Sequence, residues 1–204
     1  MVETEDVRAV RGGTGEAKCG GNYGAANRAG DKAIEKGFSQ VLWLDGVERK
    51  YVEEGGGMNI MFKIAGKVVT PMLTGSILDG ITRRSCIALV KSWGMPIEER
   101  LISVDELFEA AANGTLEEAW CVGTAAVISP IGGLSYEGKE YEINHSQIGE
   151  VSQKLYDRAD RDPVGQEARP VRLDRQDLLK RITHAGADEF VRTLFFCWGI
   201  VVPA

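Results

Sequence analysis

Glycine is the residue that most constrains this chain, making up 25 of its 204 residues where about 7% is ordinary. Lacking a Cβ, each glycine marks a tight turn or a place where backbone is brought close to a ligand. The densest cluster comes first: Gly12, Gly13, Gly15, Gly20, Gly21 and Gly24 surround a single lysine, Lys18. A chain punctuated in this way folds as short elements joined by turns.

The patterning between glycines predicts those elements. A helix is expected from near Asn22 to Lys36, stopped by Gly37 in the usual C-terminal role. SQVLWLD reads as a buried strand, and Asp45-Gly46 as a turn into a second strand, VERKYVEE. Gly55-Gly56-Gly57 then break the chain before the strands MNIMFKI and KVVTP, so these strands form a meander. ITRRSCIALVKSWG has apolar residues at Ile81, Ser85-Cys86, Ala88-Leu89 and Trp93, which is helical spacing closed by Gly94. Ser103 and Glu106 form a capping box for a helix that ends at Asn113-Gly114. EEAWCV and AAVISP read as strands, GGLSYEGKEYEI as a hairpin, and Gln147 to Tyr156 as a helix. From Arg158 to Arg175 half of the residues are charged, with Pro163 and Pro170 among them, a solvated texture. The expected organisation is one α+β domain over 1–156, a charged linker over 157–175 and an unassigned tail over 176–204, ending in the apolar run TLFFCWGIVVPA.

Composition narrows the function classes. The net charge of -6 argues against a nucleic-acid or anionic-membrane partner, since both favour a basic excess. The uncharged stretch between Glu118 and Glu137 holds glycines, a proline and polar residues, unlike a membrane span. The start, MVETEDVR, is acidic, where a secretory signal is basic and then apolar. Cys19, Cys86, Cys121 and Cys197 lie far apart with no CxxC, and with His145 and His184 they make no metal spacing. A reducing cytoplasm is the expected compartment.

Two nucleotide signatures fail. Gly13-x-Gly15-x-x-Lys18 places lysine where the third dinucleotide glycine belongs, while Gly66-Lys67 and Gly138-Lys139 are followed by valine and glutamate rather than Ser or Thr. There is no G-x-S-x-G, and two histidines leave little scope for a Ser-His-Asp arrangement.

Four blocks read differently when taken together. GGTGEAKCGGNYG, QVLWLDGVERKYVEEGGGMNI, VTPMLTGSILDGITRRS and CVGTAAVISPIG occur in this order and spacing. Over Val7 to Tyr156 the chain resembles the branched-chain amino acid aminotransferases, members of the class IV (fold-type IV) pyridoxal-phosphate enzymes. The resemblance implies a mixed α and β pseudo-barrel domain, with transamination between leucine, isoleucine or valine and 2-oxoglutarate. It implies a homodimer acting on small amino acids and 2-oxo acids. The LWLDG and TGSILDGITR blocks favour this branch over D-amino acid aminotransferases and aminodeoxychorismate lyases; an inactive cofactor-binding remnant is the other alternative.

The resemblance also implies roles. Lys18 matches the lysine that forms the Schiff base with pyridoxal phosphate and shuttles the proton, a task for which a desolvated amine is suited. Tyr23 matches the tyrosine bonded to the cofactor's phenolic oxygen, and Glu54 the acid paired with the pyridine nitrogen. Glu53, its neighbour, faces the opposite way on a strand, so register decides between them. Gly80, Ile81 and Thr82 match the phosphate cup at a helix start; Thr124 matches a further phosphate contact, and Thr124 and Ala125 the amides that hold the substrate carboxylate. Where the family reads E-V-G-T-M-N this chain has Gly55 and Gly57, expected to loosen the loop that holds Glu54. Asp79 replaces a proline and is expected to weaken phosphate binding unless its carboxylate turns to solvent. Ala126 and Ser129 stand where some relatives carry a redox CxxC, so no thiol switch is expected, and Cys19 is expected to be a buried, inert thiol. Family members carry a smaller N-terminal domain that supplies a phosphate-binding arginine and part of the substrate pocket; no such segment precedes Lys18 here, and incompleteness as a lone chain is the expectation.

Overall fold

In the computed structural model, residues 1–125 and 127–161 are described. Ala126, most of the expected linker and the whole expected tail lie outside them.

The sheet is built around β3 (Met58–Ile64), which pairs antiparallel along one edge with β6 (Leu116–Gly123). Its other edge meets β2 (Val52–Gly55) at its start and β4 (Lys67–Pro71) at its end. β1 (Leu42–Leu44) extends the sheet beyond β2, and β7 (Val127–Pro130) extends it beyond β6. β5 (Ile97–Arg100) lies parallel to β4, reached by way of α2 (Ile81–Ser92), as parallel pairing requires a crossover. A separate hairpin joins β8 (Gly133–Tyr136) and β9 (Lys139–Glu142).

Alternation along the strands gives the sheet two buried faces. Ile60, Phe62, Val69 and Cys121 face one cluster, covered by α3 (Val104–Ala112) and the β8–β9 hairpin through Leu107, Phe108 and Leu134. Met61, Val68, Trp120 and Val122 face the other, covered by α2 and α4 (Glu150–Arg161) through Cys86, Ile87, Val90, Val151 and Leu155. α1 (Gly21–Glu35) packs its small residues Ala29 and Ala33 on Val41 and Trp43. The α+β class expected from the sequence is the class observed.

Several boundaries differ for definite reasons. Val47–Lys50 is not strand: the loop winds round Asp45, whose carboxylate accepts from the amides of Val47, Glu48, Lys50 and Tyr51. Burial alone would raise that carboxyl, but the amides hold it below its ordinary value. α2 buries Arg83, Cys86, Ile87 and Val90, and leaves Ile81 67% exposed, so its inward face is rotated from the expected one. Arg83 is accommodated because it donates to Pro71 O at 2.9 Å and to Glu99 at 3.0 Å. Ser103 caps α3 by accepting from the Glu106 amide at 3.1 Å, as expected. The Glu106 carboxylate, however, pairs with Arg100 rather than reaching back.

α4 extends to Arg161 rather than stopping at Tyr156. Its start is fixed by the buried Glu118, which accepts from Val151 N at 3.0 Å, Ser152 N at 2.9 Å and Ser152 Oγ at 3.0 Å. A carboxylate there also complements the positive end of the helix. No helix among the described residues is long and apolar enough to cross a membrane.

Candidate active site

The loop before α1, the β2–β3 turn, the start of α2 and the β6–β7 turn carry the residues singled out above. Lys18 lies one turn before α1, and its loop is fastened by Asn22. That buried side chain donates to Thr14 O at 2.7 Å and Ala17 O at 2.8 Å, and accepts from the Thr14 hydroxyl at 2.7 Å. Gly15 is required here, because a Cβ would stand 2.2 Å from Ser76 O. Lys18 itself is exposed, so the desolvation expected of it is not provided by these residues.

Register separates the two acids. Glu54 pairs with Asn59 across β2–β3, on the face that carries Met61 and α2. It is 3% exposed; Arg8 Nε lies 3.2 Å from its Oε2, while Asn59 Nδ2 and the Leu78 amide approach its Oε1 at 3.3 and 3.2 Å. The Arg8 contact is an ion pair without hydrogen-bond alignment. Burial is the main influence on the Glu54 carboxyl and raises it; Arg8 and then the Leu78 amide pull it back, and Glu53 pushes up. Tyr23 stands beside this acid: burial first and Glu54 second raise its phenol, and its ring is 3.6 Å from where a Gly57 Cβ would be. Glu53 takes the other side, where its carboxyl is in hydrogen-bond contact with the Ser76 hydroxyl.

The glycine-rich turn is pinned rather than loosened. Gly55 is a strand residue whose Cβ would meet Cys121 Sγ at 2.5 Å. Gly56 has φ 58, donates to Val41 O at 2.7 Å and accepts from Trp43 Nε1 at 2.9 Å. The loosening expected at Gly55 is not observed, since it is a paired residue of β2.

Gly80 begins α2, and a Cβ there would lie 2.3 Å from Asn59 Oδ1. No side chain caps this helix start and its first turn holds no acid, so the amides after Gly80 are available to an anion. Asp79 turns outward, 3.7 Å from Arg84 Nε, with both side chains about half exposed, which answers the concern over its charge. Thr124 and Ala125 lie exposed on the β6–β7 turn. The turn adjoins the β2–β3 turn, since Gly123 packs on Met58, with a Cβ there only 3.1 Å from Met58 Cγ. The structure thus brings Tyr23, Glu54 and the α2 start together, with Lys18 and Thr124 on flanking loops.

Cys19 is not buried, against expectation. It is partly exposed, and its thiol is drawn below the ordinary value by the Thr14 hydroxyl and then by the Asn22 and Gly21 amides. Thr14 also donates to Asn22 Oδ1 and the Asn22 amide to Cys19 O, so these donors hold the loop as well. Burial instead pushes Cys86 and Cys121 up to about 12.

Arg8, Asn22, Asn59 and Ser76 were not picked out by sequence. Asn59 stood within a quoted block; Arg8, between Val7 and Ala9, reads as surface, yet its side chain is 7% exposed.

These groups fit pyridoxal phosphate. A buried acid suits a protonated ring nitrogen, a phenol stands beside it, and an uncapped helix start with a Gly where a Cβ cannot fit suits a phosphate.

Residues 5–134 match the family model for amino-transferase class IV. The chain is 59% identical over 156 residues to branched-chain-amino-acid aminotransferase 2 of Bacillus subtilis (strain 168), covering 76% of this chain and 43% of that protein. It is 58% identical over the same length to a probable branched-chain-amino-acid aminotransferase of Staphylococcus aureus (strain N315), covering 44% of it. The chain thus spans less than half the length of these curated relatives. Among solved structures it resembles the branched-chain amino acid aminotransferase of Escherichia coli, with a TM-score of 0.67 at 28% identity over 83% of this chain and 53% of that one. A T.th. branched-chain amino acid aminotransferase complexed with N-(5'-phosphopyridoxyl)-L-glutamate gives 0.65 at 28%, over 76% and 48%. A family match of this extent, joined to relatives and folds this similar, means that the chain belongs to amino-transferase class IV.

Proposed function

We propose that these residues are the cofactor-holding part of a pyridoxal-phosphate-dependent branched-chain aminotransferase. It would pass the amino group of leucine, isoleucine or valine to 2-oxoglutarate, giving branched 2-oxo acids and glutamate. The observation that carries this reading is Glu54, an acid 3% exposed that is held by Arg8, Asn59 and the Leu78 amide with Tyr23 beside it. The bound cofactor supplies an electron-withdrawing ring that makes the substrate Cα proton removable.

The chain's own groups do the rest. Lys18 Nζ would hold the cofactor, water leaving as the amine condenses with its aldehyde, and would move the proton at the substrate Cα. Glu54 keeps a proton on the ring nitrogen, with Arg8 supplying the cation that lets a buried acid stay ionised. The Tyr23 hydroxyl orients the ring through its phenolic oxygen. The Ile81 and Thr82 amides, behind Gly80, and the Thr124 hydroxyl hold the phosphate; the amides of Thr124 and Ala125 receive the substrate carboxylate. A second copy of the chain as partner and a reducing cytoplasm belong to the same reading, the latter supported by free Cys19, Cys86 and Cys121.

The test is borohydride reduction of the chain mixed with pyridoxal phosphate, followed by peptide mapping. One labelled peptide containing Lys18, lost in Lys18→Ala, is the expected result. Label spread over surface lysines and unchanged in the variant would end the reading.

A further inference from the structure

β2 carries two buried acids, and the reading above uses one. Glu53 is 4% exposed. Its Oε1 contacts the Ser76 hydroxyl, which lies 2.9 Å from the Thr74 hydroxyl. Among the described residues its Oε2 meets no hydrogen-bond donor. The nearest cation, Arg8, is engaged elsewhere: its Nε faces Glu54 and its Nη2 donates to the Ser76 carbonyl. Arg11 from the same N-terminal loop adds a weaker positive field, and Asp45, after β1, a negative one. Two acids therefore face one guanidinium.

An anionic oxygen buried without a donor is far costlier than a neutral carbonyl oxygen in the same place. With a proton on Oε1, the acid donates to Ser76 Oγ, Ser76 donates onward to Thr74 Oγ1, and Oε2 is left as a neutral carbonyl oxygen. We propose that Glu53 is a positioning residue held as the neutral acid, which reserves Arg8 for Glu54 and so fixes the charge of the pair that faces the cofactor ring. Its role toward the ring rests on the reading of Glu54 given above. Burial, the largest influence on the Glu53 carboxyl, acts in the same direction, raising it against Ser76, Arg8 and Arg11.

The experiment uses the full 204-residue chain and Glu53→Gln, which keeps the shape without the charge. An acid raised in the folded state contributes stability at low pH and loses it as pH rises through its folded value. Urea unfolding from acid to mildly alkaline pH should therefore show the wild type losing ground to Glu53→Gln, by up to about tenfold in the folding equilibrium per pH unit. Infrared spectra in heavy water at neutral pH should show a protonated-carboxyl band that Glu53→Gln removes. The wild type gaining on the variant as pH rises, with no band lost, would overturn the proposal. If Glu53→Gln folds poorly, Ser76→Ala serves: a neutral Glu53 moves its acid band to a free-carbonyl position, and an ionised one shows no such band.

Neither readout needs cofactor, so they fail separately from the Glu54 reading. With pyridoxal phosphate added, Glu53→Gln should match the wild-type absorbance at neutral pH and stay constant where the wild type changes as Glu53 ionises. A different spectrum at neutral pH would overturn the positioning role.

Discussion

The role proposed for Glu54 depends on neighbours that lie far from it in the chain, and that is where its behaviour can be tested. Burial raises its carboxyl while Arg8 and the Leu78 amide pull it back. Glu54→Gln keeps the volume and a hydrogen-bonding group but surrenders the charge that holds the proton on the ring. It should retain most of the bound cofactor and lose turnover by orders of magnitude, as titration of cofactor absorbance beside glutamate formation would show. Equal activity would move the role elsewhere. Cys19 gives a second prediction at this scale. Its lowered thiol is ionised at lower pH than Cys86 or Cys121, both pushed to about 12, and the thiolate is the reactive form. Iodoacetamide at neutral pH should label the Cys19 peptide first, its rate levelling off at lower pH than for a free thiol; preferential labelling of Cys86 or Cys121 would contradict this. Lys18, Tyr23 and Glu54 could be singled out because each sits in a contiguous motif. Arg8 was not, because an arginine flanked by Val7 and Ala9 gives no sign that a buried acid on β2 will meet it.

The elements were read best where one pattern fixes them, and worst where a partner does. α1 stops at the expected glycine, since Gly37 has φ 85 and its amide closes on Ile34 O at 2.9 Å. β5 was missed, because Ile97–Arg100 holds three charges in four residues and reads as loop. It is a strand because it pairs with β4, while Glu98 meets Lys67 and Arg100 and Glu99 meets Arg83. The β2–β3 turn was read as loose, since sequence shows three glycines but not what they touch. Gly55 answers to Cys121 on β6, where a Cβ would come within 2.5 Å of the sulfur. Gly55→Val should therefore overpack the sheet and cost about 1–3 kcal/mol, while displacing the adjacent Glu54 enough to weaken cofactor binding. Because the clash is with one side chain, Cys121→Ala in the same chain should restore part of that loss, a coupling expected only between residues in contact. Urea unfolding of the two single variants and the double variant checks it. Strict additivity would mean that the turn, not the sulfur, decides residue 55.

At the largest scale the decisive fact is that, among the described residues, the core is closed while the candidate site is open. Trp43, Phe62, Trp120 and Leu155 are fully buried, so the described residues have a core of their own. Lys18, Ile81, Thr124 and Ala125 are exposed, and Tyr23 is 39% exposed. Proton transfer at a substrate Cα needs the reverse, a site from which water is excluded. The chain spans 43% of the length of its Bacillus subtilis relative, and the resemblance implies that a further domain supplies a phosphate arginine and a wall of the pocket. A charge-assisted contact of that kind is worth about 1.5–3 kcal/mol, roughly ten- to hundredfold in affinity. Orientation can supply about 7–11 kcal/mol of a barrier, so rate should suffer more than binding. The 204-residue polypeptide, purified as such, should accordingly bind pyridoxal phosphate weakly but specifically through Lys18, and turn over leucine and 2-oxoglutarate far below an ordinary enzyme. Glutamate formation at saturating cofactor is the measurement, with Lys18→Ala as the blank. A rate in the ordinary range of about 1–1000 per second would mean that no further domain is needed to cover Lys18, the cover coming either from a second copy of this chain or from the chain itself. Sedimentation at the assay concentration then separates the two, since a rate that rises with dimer fraction assigns the cover to the partner, and a rate independent of it assigns the cover to the chain itself.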